Sequence, residues 1–343
     1  MQDDKTLEFP LISAVIPAYN HEKYIGDCIR SAQDQTYTNW EMIIVDDVST
    51  DNTFTIAQAV AANDDRVKVF TQKNVGIFRL GETYNFAFAQ SKGEYIAVLE
   101  GDDVWLPEKL QWQVEAMEIN KNAVLSWGKA FSSSADLAED YDLHPVKERE
   151  DEIFSNSPIG SAAKALIFTC FIPALTVMVR RSSLESLGGF IQNFHLPLVD
   201  LPTWQQLSLK GEFIYIPRPL GKWRIYPNQV TKTYTAEMAE GFYKLGLDFY
   251  ERNESLLAKN GVTKSDIDRY FKKLLVINYS RAGRYKLIRK DFKGARKSYS
   301  KSIFRFGWNE PLWKLRSAIG LIFSVFKKDI EGFTKKIGRV SYK

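Results

Sequence analysis

The chain has 343 residues, 45% of them apolar and 26% charged, the balance of a soluble globular protein with room for two domains and a large core. Its two cysteines, Cys28 and Cys170, and three histidines, His21, His144 and His195, have no ligand spacing, which argues against a disulfide framework or a zinc site. The opening MQDDKTLEFP lacks the apolar stretch of a secretory signal, and no uninterrupted apolar run reaches about 18 residues, so no membrane span is expected.

The net charge of +4 conceals an asymmetry. From Thr235 onward 25 basic residues stand against 11 acidic ones, a net of +14, which leaves 21 against 31, or −10, for the rest. An acidic body with a basic tail predicts contact with an anionic surface, whether membrane, nucleic acid or acidic polymer.

In chain order, Leu11 to Ile16 reads as a strand stopped by Pro17, followed by the turn Pro17-Ala18-Tyr19-Asn20 and a helix carrying Tyr24, Ile25, Cys28 and Ile29 on one face. A second strand, Met42 to Val45, ends in Asp46-Asp47 before a helix over about 52–62. Arg66 to Phe70 is a third strand, and Leu80, Tyr84 and Phe88 mark a third helix. Tyr95 to Leu99 is the most apolar strand and runs into Glu100, Gly101, Asp102 and Asp103. A helix follows to about Ile119, then a strand over Ala123 to Trp127. This alternation predicts an α/β, doubly wound and mostly parallel sheet. Residues 132–160, polar and acidic, read as a mobile surface loop. Thr176 to Arg180 and Phe213 to Ile216 are further strands, and Asp200 precedes a helix to about Lys210. Lys222 to Tyr226 sets bases among aromatics before a Thr- and Asn-rich loop. Beyond about Glu237 the pattern is helical, with a C-terminal helix over 312–326 whose apolar face would carry Trp313, Ile319, Phe323 and Phe326 beside Lys314, Arg316, Lys327 and Lys328.

Two acidic strand ends, Asp46-Asp47 and Asp102-Asp103, therefore fall on one edge of a parallel sheet, where open α/β sheets place their ligands. Clustered carboxylates repel unless a cation or donor-rich ligand joins them, and hard oxygens of this kind suit magnesium or manganese held together with phosphates.

These motifs, VIPAYN at 15–20, VDDVSTDNT at 45–53, NVG at 74–76 with Arg79 and Asn85, and GEYIAVLEGDDVWLPEKL at 93–110, resemble those of the family-two glycosyltransferases of the A-type fold. The resemblance spans about residues 10–235 and implies a nucleotide-diphosphate sugar donor, a divalent metal (Mn2+ or Mg2+) and inversion at the anomeric centre. By resemblance, Pro17, Ala18, Tyr19 and Asn20 line the nucleoside pocket, and Asp47 accepts from the pyrimidine N3–H. Arg79 pairs with the diphosphate. Asp102 is the metal ligand of the DxD motif, and Glu100 replaces its first aspartate, with a longer arm toward ribose or metal. Gly101 lies between them, and Asp103 supports the site or meets the sugar. Asp200, before a helix in the second half, occupies the place of the catalytic base. Arg224 stands where the family has an arginine near the diphosphate, with Lys222 and Arg218 as weaker alternatives; Trp105, Trp204 and Trp223 could stack on sugars or belong to the core.

The resulting expectation is a metal-dependent inverting glycosyltransferase with a UDP- or dTDP-type donor and a glycan or lipid-linked acceptor. It would serve surface-polysaccharide assembly of the capsule or lipopolysaccharide kind, with Asp200 as base. The alternative is a catalytically silent protein of the same fold that binds nucleotide-sugar or glycan; a nucleotidyltransferase is disfavoured because Pro17 to Asn20 offers no glycine-rich basic loop. The expected organisation is a donor-binding half at 1–105, an acceptor-binding half at 106–235 and a basic helical region at 236–343. The expected location is cytoplasmic and peripheral on the inner face of the cell membrane, at an anionic lipid surface, with no nucleic acid partner.

Overall fold

The computed structural model describes residues 9–146, 150–193, 196–226, 229 and 235–328. The chain forms two compact units, Met1–Pro227 and Asn228–Lys343. His195, most of the loop expected after Tyr226 and the chain beyond 328 lie outside the described residues.

In the first unit, β1 (Ile12–Ala18), β2 (Trp40–Asp46), β3 (Val67–Thr71) and β4 (Tyr95–Val98) lie in the order β3-β2-β1-β4 and are all parallel. Helices Ile25–Gln33, Thr53–Ala61 and Leu80–Gln90 connect them. β1 and β2 are buried along their whole length, and for that reason they read as apolar runs rather than alternating patterns. Five more strands complete the sheet: β5 (Val104–Trp105), β6 (Ala123–Ser134), β7 (Asp140–His144), β8 (Met178–Arg180) and β9 (Glu212–Ile225). Among the described residues the order is β3-β2-β1-β4-β8-β6-β9-β5, with β7 on β6. β8 is antiparallel to both neighbours, whereas β6 and β9 keep the direction of β1 to β4, so the sheet is mostly parallel with reversed strands at β5, β7 and β8.

The segment 132–160 differs from its expected loop. β6 continues through the polar residues to Ser134 and returns as β7, and a short helix, Asp151–Ser155, follows. Ser132 and Ser133 are buried there because their hydroxyls find partners: Ser132 Oγ exchanges hydrogen bonds with the Asp142 backbone, and Ser133 Oγ donates to Asp140 at 2.5 Å. The buried Asn156 then joins the segment to the body, its amide donating to the Ser208 and Gly211 carbonyls at 2.7 Å each. β9 also exceeds its expected length. It passes Pro217 and Pro219 by slipping register between Ile216 and Pro219, since proline has no N–H for the ladder.

The second unit is helical: Thr235–Arg252, Glu254–Lys259, Lys264–Ile288, Phe292–Phe304 and Pro311–Val325. A reciprocal cap between Thr263 and Asp266 starts the longest helix, and Asp291 caps the next one through the Gly294 N–H at 2.9 Å. Leu287, Ala295 and Tyr299 form a small core between these helices.

The crossing of the Leu80–Gln90 connection into β4 depends on Gly93, where a Cβ would stand 2.5 Å from the Ser13 nitrogen and 2.7 Å from the Leu11 carbonyl. Gly93→Ala should lower stability by about 1–3 kcal/mol, seen as an earlier urea midpoint at unchanged m. An unchanged midpoint would mean that the junction of β1 and β4 yields without cost.

Candidate active site

The turns after β1, β2 and β4 are joined by backbone. Pro17 O accepts from Gly101 N at 3.4 Å, and Ala18 O accepts from Asp47 N at 2.9 Å. Asn20 N donates to Ser49 Oγ at 2.9 Å, its side-chain oxygen accepts from Thr50 N at 2.8 Å, and His21 N donates to Thr53 Oγ1 at 2.7 Å. Two residues in these turns are left-handed, Asn20 at φ 56 and Val48 at φ 59. Asparagine accepts this conformation readily, but a β-branched valine does so only under strain, which is characteristic of functional turns. Gly101 gives the acidic turn room beside β1, since a Cβ there would lie 2.7 Å from His21 Nδ1. Tyr19 is left 46% exposed above this edge.

Asp47 is buried, and its carboxylate shapes the neighbouring loop. Oδ1 accepts from Val75 N at 2.9 Å and from Gln72 Nε2 at 3.0 Å, and Oδ2 accepts from Gly76 N at 2.8 Å. Each carboxylate oxygen has two lone pairs, so Oδ2 retains capacity for a further donor.

The acidic turn is held by Arg224, which is completely buried. Its backbone N–H donates to Asp103 Oδ1 at 2.9 Å. Its guanidinium reaches the Asp102 carbonyl at 2.6 Å, the Ala135 carbonyl at 3.1 Å and Asp27 Oδ2 at 2.6 Å. In this geometry the Arg224 side chain faces inward and these donors are engaged within the protein. Tyr226 approaches from the same strand end, and its hydroxyl donates to Asp102 Oδ2 at 2.7 Å. Tyr84 donates to Glu100 Oε1 at 3.0 Å, while Glu100 Oε2 is buried without a hydrogen-bond partner among the described residues.

Asp200 opens the helix Asp200–Leu207. It lines a cavity of about 10 Å³, room for about one water, together with Tyr84, Phe190, Val199 and Trp204. Cys170 Sγ donates to Asp200 Oδ2 at 3.4 Å. Tyr84 thus stands between Glu100 and Asp200, and the structure brings the two predicted carboxylate positions onto one side of the sheet. Asn85 supports this side by pairing with both the N–H (2.7 Å) and the carbonyl (2.9 Å) of Phe190.

Burial, followed by the neighbouring charges of Asp102 and Asp200, pushes the Glu100 carboxyl up to about 7. Burial and the charges of Asp102 and Glu100 push Asp103 upward, and burial pushes Asp200 upward. Among the described residues no three His, Cys, Asp or Glu side chains are placed to hold a metal by themselves. The donor chemistry still fits a divalent cation shared with a phosphate ligand. The turn offers hard oxygens, one of them orphaned and buried, and its residual repulsion is of the kind that a cation relieves. Asp102 and Glu100 are the side chains that would hold it.

Other predicted residues lie apart from this cluster. Arg79 ends a short 3-10 turn, exposed, and forks onto Glu82 at 2.5 and 2.6 Å. Lys222 pairs with Asp140 at 3.0 Å, and Arg218 lies over the Trp112 ring. Trp105 and Trp204 are buried core residues, whereas Trp223 is partly buried against the core. Sequence reasoning missed Tyr84, Tyr226, Asp27 and Cys170. Tyr84 was visible only as a member of an apolar helix face, and nothing in the spacing distinguishes a tyrosine that turns its hydroxyl to a carboxylate.

A carboxyl whose folded pKa is raised costs stability when ionised. Above about 7 the full cost is present; below the ordinary carboxylate value both states are protonated and the cost vanishes. The stability difference between the wild type and Glu100→Gln should therefore favour the variant at pH 8 and shrink as pH falls through 7 toward 5. Thermal denaturation of both proteins across that range measures it, and a pH-independent difference would contradict the electrostatic account.

The profile of the family described as glycosyl transferase family 2 matches residues 13–184. A Bacillus subtilis (strain 168) protein carrying the name teichuronic acid biosynthesis glycosyltransferase TuaG is 32% identical over 225 residues, 65% of this chain and 82% of that protein. EpsH of the same organism, also named as a glycosyltransferase, is 27% identical over 78% of this chain and 74% of its own length. In structure, residues 1–349 of S. aureus TarS, solved in complex with UDP-GlcNAc, align over 96% of this chain and 93% of that one, with a TM-score of 0.55 at 17% identity, which marks a shared fold. The fold is that of the A-type glycosyltransferases, and the chain belongs to glycosyl transferase family 2 as a glycosyltransferase enzyme.

Proposed function

We propose that the protein transfers a sugar, with inversion, from a UDP- or dTDP-type donor to a glycan or lipid-linked acceptor during assembly of a surface polysaccharide. The observation that carries this reading is the joint placement of Asp200 and the Glu100–Asp103 turn around Tyr84. In a single displacement, one carboxylate must take the proton of the attacking hydroxyl while the opposite side of the reacting carbon faces the departing diphosphate. Asp200 suits the base: burial raises its carboxyl, so it binds a proton more strongly than a solvated aspartate, and the Cys170 thiol orients one oxygen. Asp47, with Pro17, Ala18, Tyr19 and Asn20, suits a nucleoside edge, because the spare capacity of its carboxylate matches a pyrimidine N–H. A divalent cation at Asp102 and Glu100 would supply charge neutralisation to the leaving diphosphate. Arg79, exposed and paired among the described residues with the neighbouring Glu82, is a cation that could swing toward that diphosphate. Residues 1–105 then serve the donor and 106–235 the acceptor.

The name of the TuaG relative, teichuronic acid biosynthesis, and the UDP-GlcNAc complex of TarS support the acceptor class and the donor class respectively. A lipid-linked acceptor, together with the +14 charge from Thr235 onward, favours work at the inner face of the cell membrane, against anionic lipid. Among the described residues no helix is long and apolar enough to cross a membrane.

Asp200→Asn, nearly isosteric, should leave nucleoside-diphosphate affinity within about twofold while turnover of UDP- and dTDP-sugars falls by about 10²–10⁴. Nucleotide release assayed beside binding measures both, and full turnover in the variant would remove Asp200 from the mechanism.

A further inference from the structure

The last described helix, Pro311–Val325, is oriented against the usual order of a soluble unit. Its inward side carries the small residues Ser317, Gly320 and Ser324. Ser317 Oγ donates to Ser302 Oγ at 2.9 Å, and Gly320 lies flat on the Tyr299 ring, where a Cβ would have no room. Five large apolar side chains lie on the opposite side. Leu312, Leu315, Ile319, Ile322 and Phe326 recur at intervals of three and four residues, a single stripe of an α-helix, and all are exposed: Leu312 is 79% accessible and Phe326 70%. Trp308, in the turn before the helix, is 93% accessible. Exposed apolar stripes of this kind are a mark of interaction surfaces. The stripe shares Ile319 and Phe326 with the face that the sequence pattern suggested, but not Trp313 or Phe323. Phe323 packs against the small core of Leu287, Ala295 and Tyr299, and Trp313 is covered by the guanidinium groups of Arg281 and Arg316.

Charge identifies the partner. The region that carries the stripe has a net charge of +14, and Arg305, Lys327 and Lys328 are exposed near the two ends of the helix. A second copy would set this charge against itself, whereas an anionic bilayer answers both the apolar stripe and the cations around it. The helix is too short to cross the roughly 30 Å hydrocarbon layer, since 15 residues rise only about 22 Å. We infer that Pro311–Val325 lies in the plane of an anionic lipid surface, with Leu312, Leu315, Ile319, Ile322 and Phe326 in the acyl boundary and Trp308 at headgroup level. This deepens the membrane placement proposed above and is independent of the transfer chemistry.

The test uses the full chain with vesicles of phosphatidylcholine alone and of phosphatidylcholine with about one-third phosphatidylglycerol, at low and high salt. Cosedimentation should be strong only with phosphatidylglycerol and should weaken as salt rises. Leu315→Glu/Ile322→Glu, two exposed positions, should reduce it by about tenfold or more, with UDP binding and melting temperature unchanged in the same samples. Wild-type protein that ignores phosphatidylglycerol vesicles overturns the inference, as does a double variant that binds them undiminished. A wild-type dimer that the double variant converts to monomer, read by analytical ultracentrifugation, assigns the stripe to a second copy and likewise overturns it. Failure of UDP binding in every protein would count against the donor reading and leave the lipid result standing.

Discussion

Everything at the candidate active site depends on how one buried guanidinium restrains a crowd of carboxylates. Glu100, Asp102 and Asp103 fall within four consecutive positions, with only Gly101 between them, and like charges so close drive a turn apart. Arg224 prevents this from the far end of β9. It gives its backbone N–H to Asp103, and its side chain spans the Asp102 carbonyl, the Ala135 carbonyl and Asp27. A buried charge with this many directed partners is costly to remove, because what remains is unpaired carboxylate and carbonyl. The tie also explains the length of β9. The strand has to travel past the proline bulge and along β6 to bring Arg224 and Tyr226 to the end of β4.

The restraint is incomplete. Arg224 uses its charge on Asp27 and on backbone, so Glu100 and Asp103 keep raised carboxyls, and one Glu100 oxygen stays orphaned. A turn selected for stability alone would not retain these costs. Sites that break local rules in this way are commonly ones where a ligand supplies the compensation. The strained Val48 in the adjoining turn belongs to the same pattern, and it falls directly after Asp47.

Most of the first unit was legible because its strands are buried on both faces and its helices have clear apolar sides. Tyr95–Val98 could hardly be anything but a central strand, and its acidic terminus lies at the carboxyl edge of the parallel strands. The hairpin of β6 and β7 was not legible, because Ser132 and Ser133 are buried through hydroxyl bonds rather than apolar surface, so no period-2 signal survives. Arg224 was found as a residue, but its inward orientation was not legible. Position in a motif does not tell whether an arginine faces ligand or protein, and that depends on Asp27, a residue 197 positions away in the chain. In the second unit the helices were legible, but the inward face of Pro311–Val325 was not. Gly320 and its serines pack because Tyr299 fills the space opposite, which no pattern within the helix announces.

The central claim is that the turns of β1, β2 and β4 form a donor site whose unresolved charge is completed by cation and diphosphate together. Titration calorimetry of UDP, dTDP, GDP and ADP, each with and without manganese, tests it most directly, with Asp102→Ala as the comparison. The account predicts pyrimidine-diphosphate binding that requires manganese, exceeds that of the purine nucleotides and disappears in Asp102→Ala. Binding of none of the four, or binding that ignores both manganese and Asp102, would contradict it.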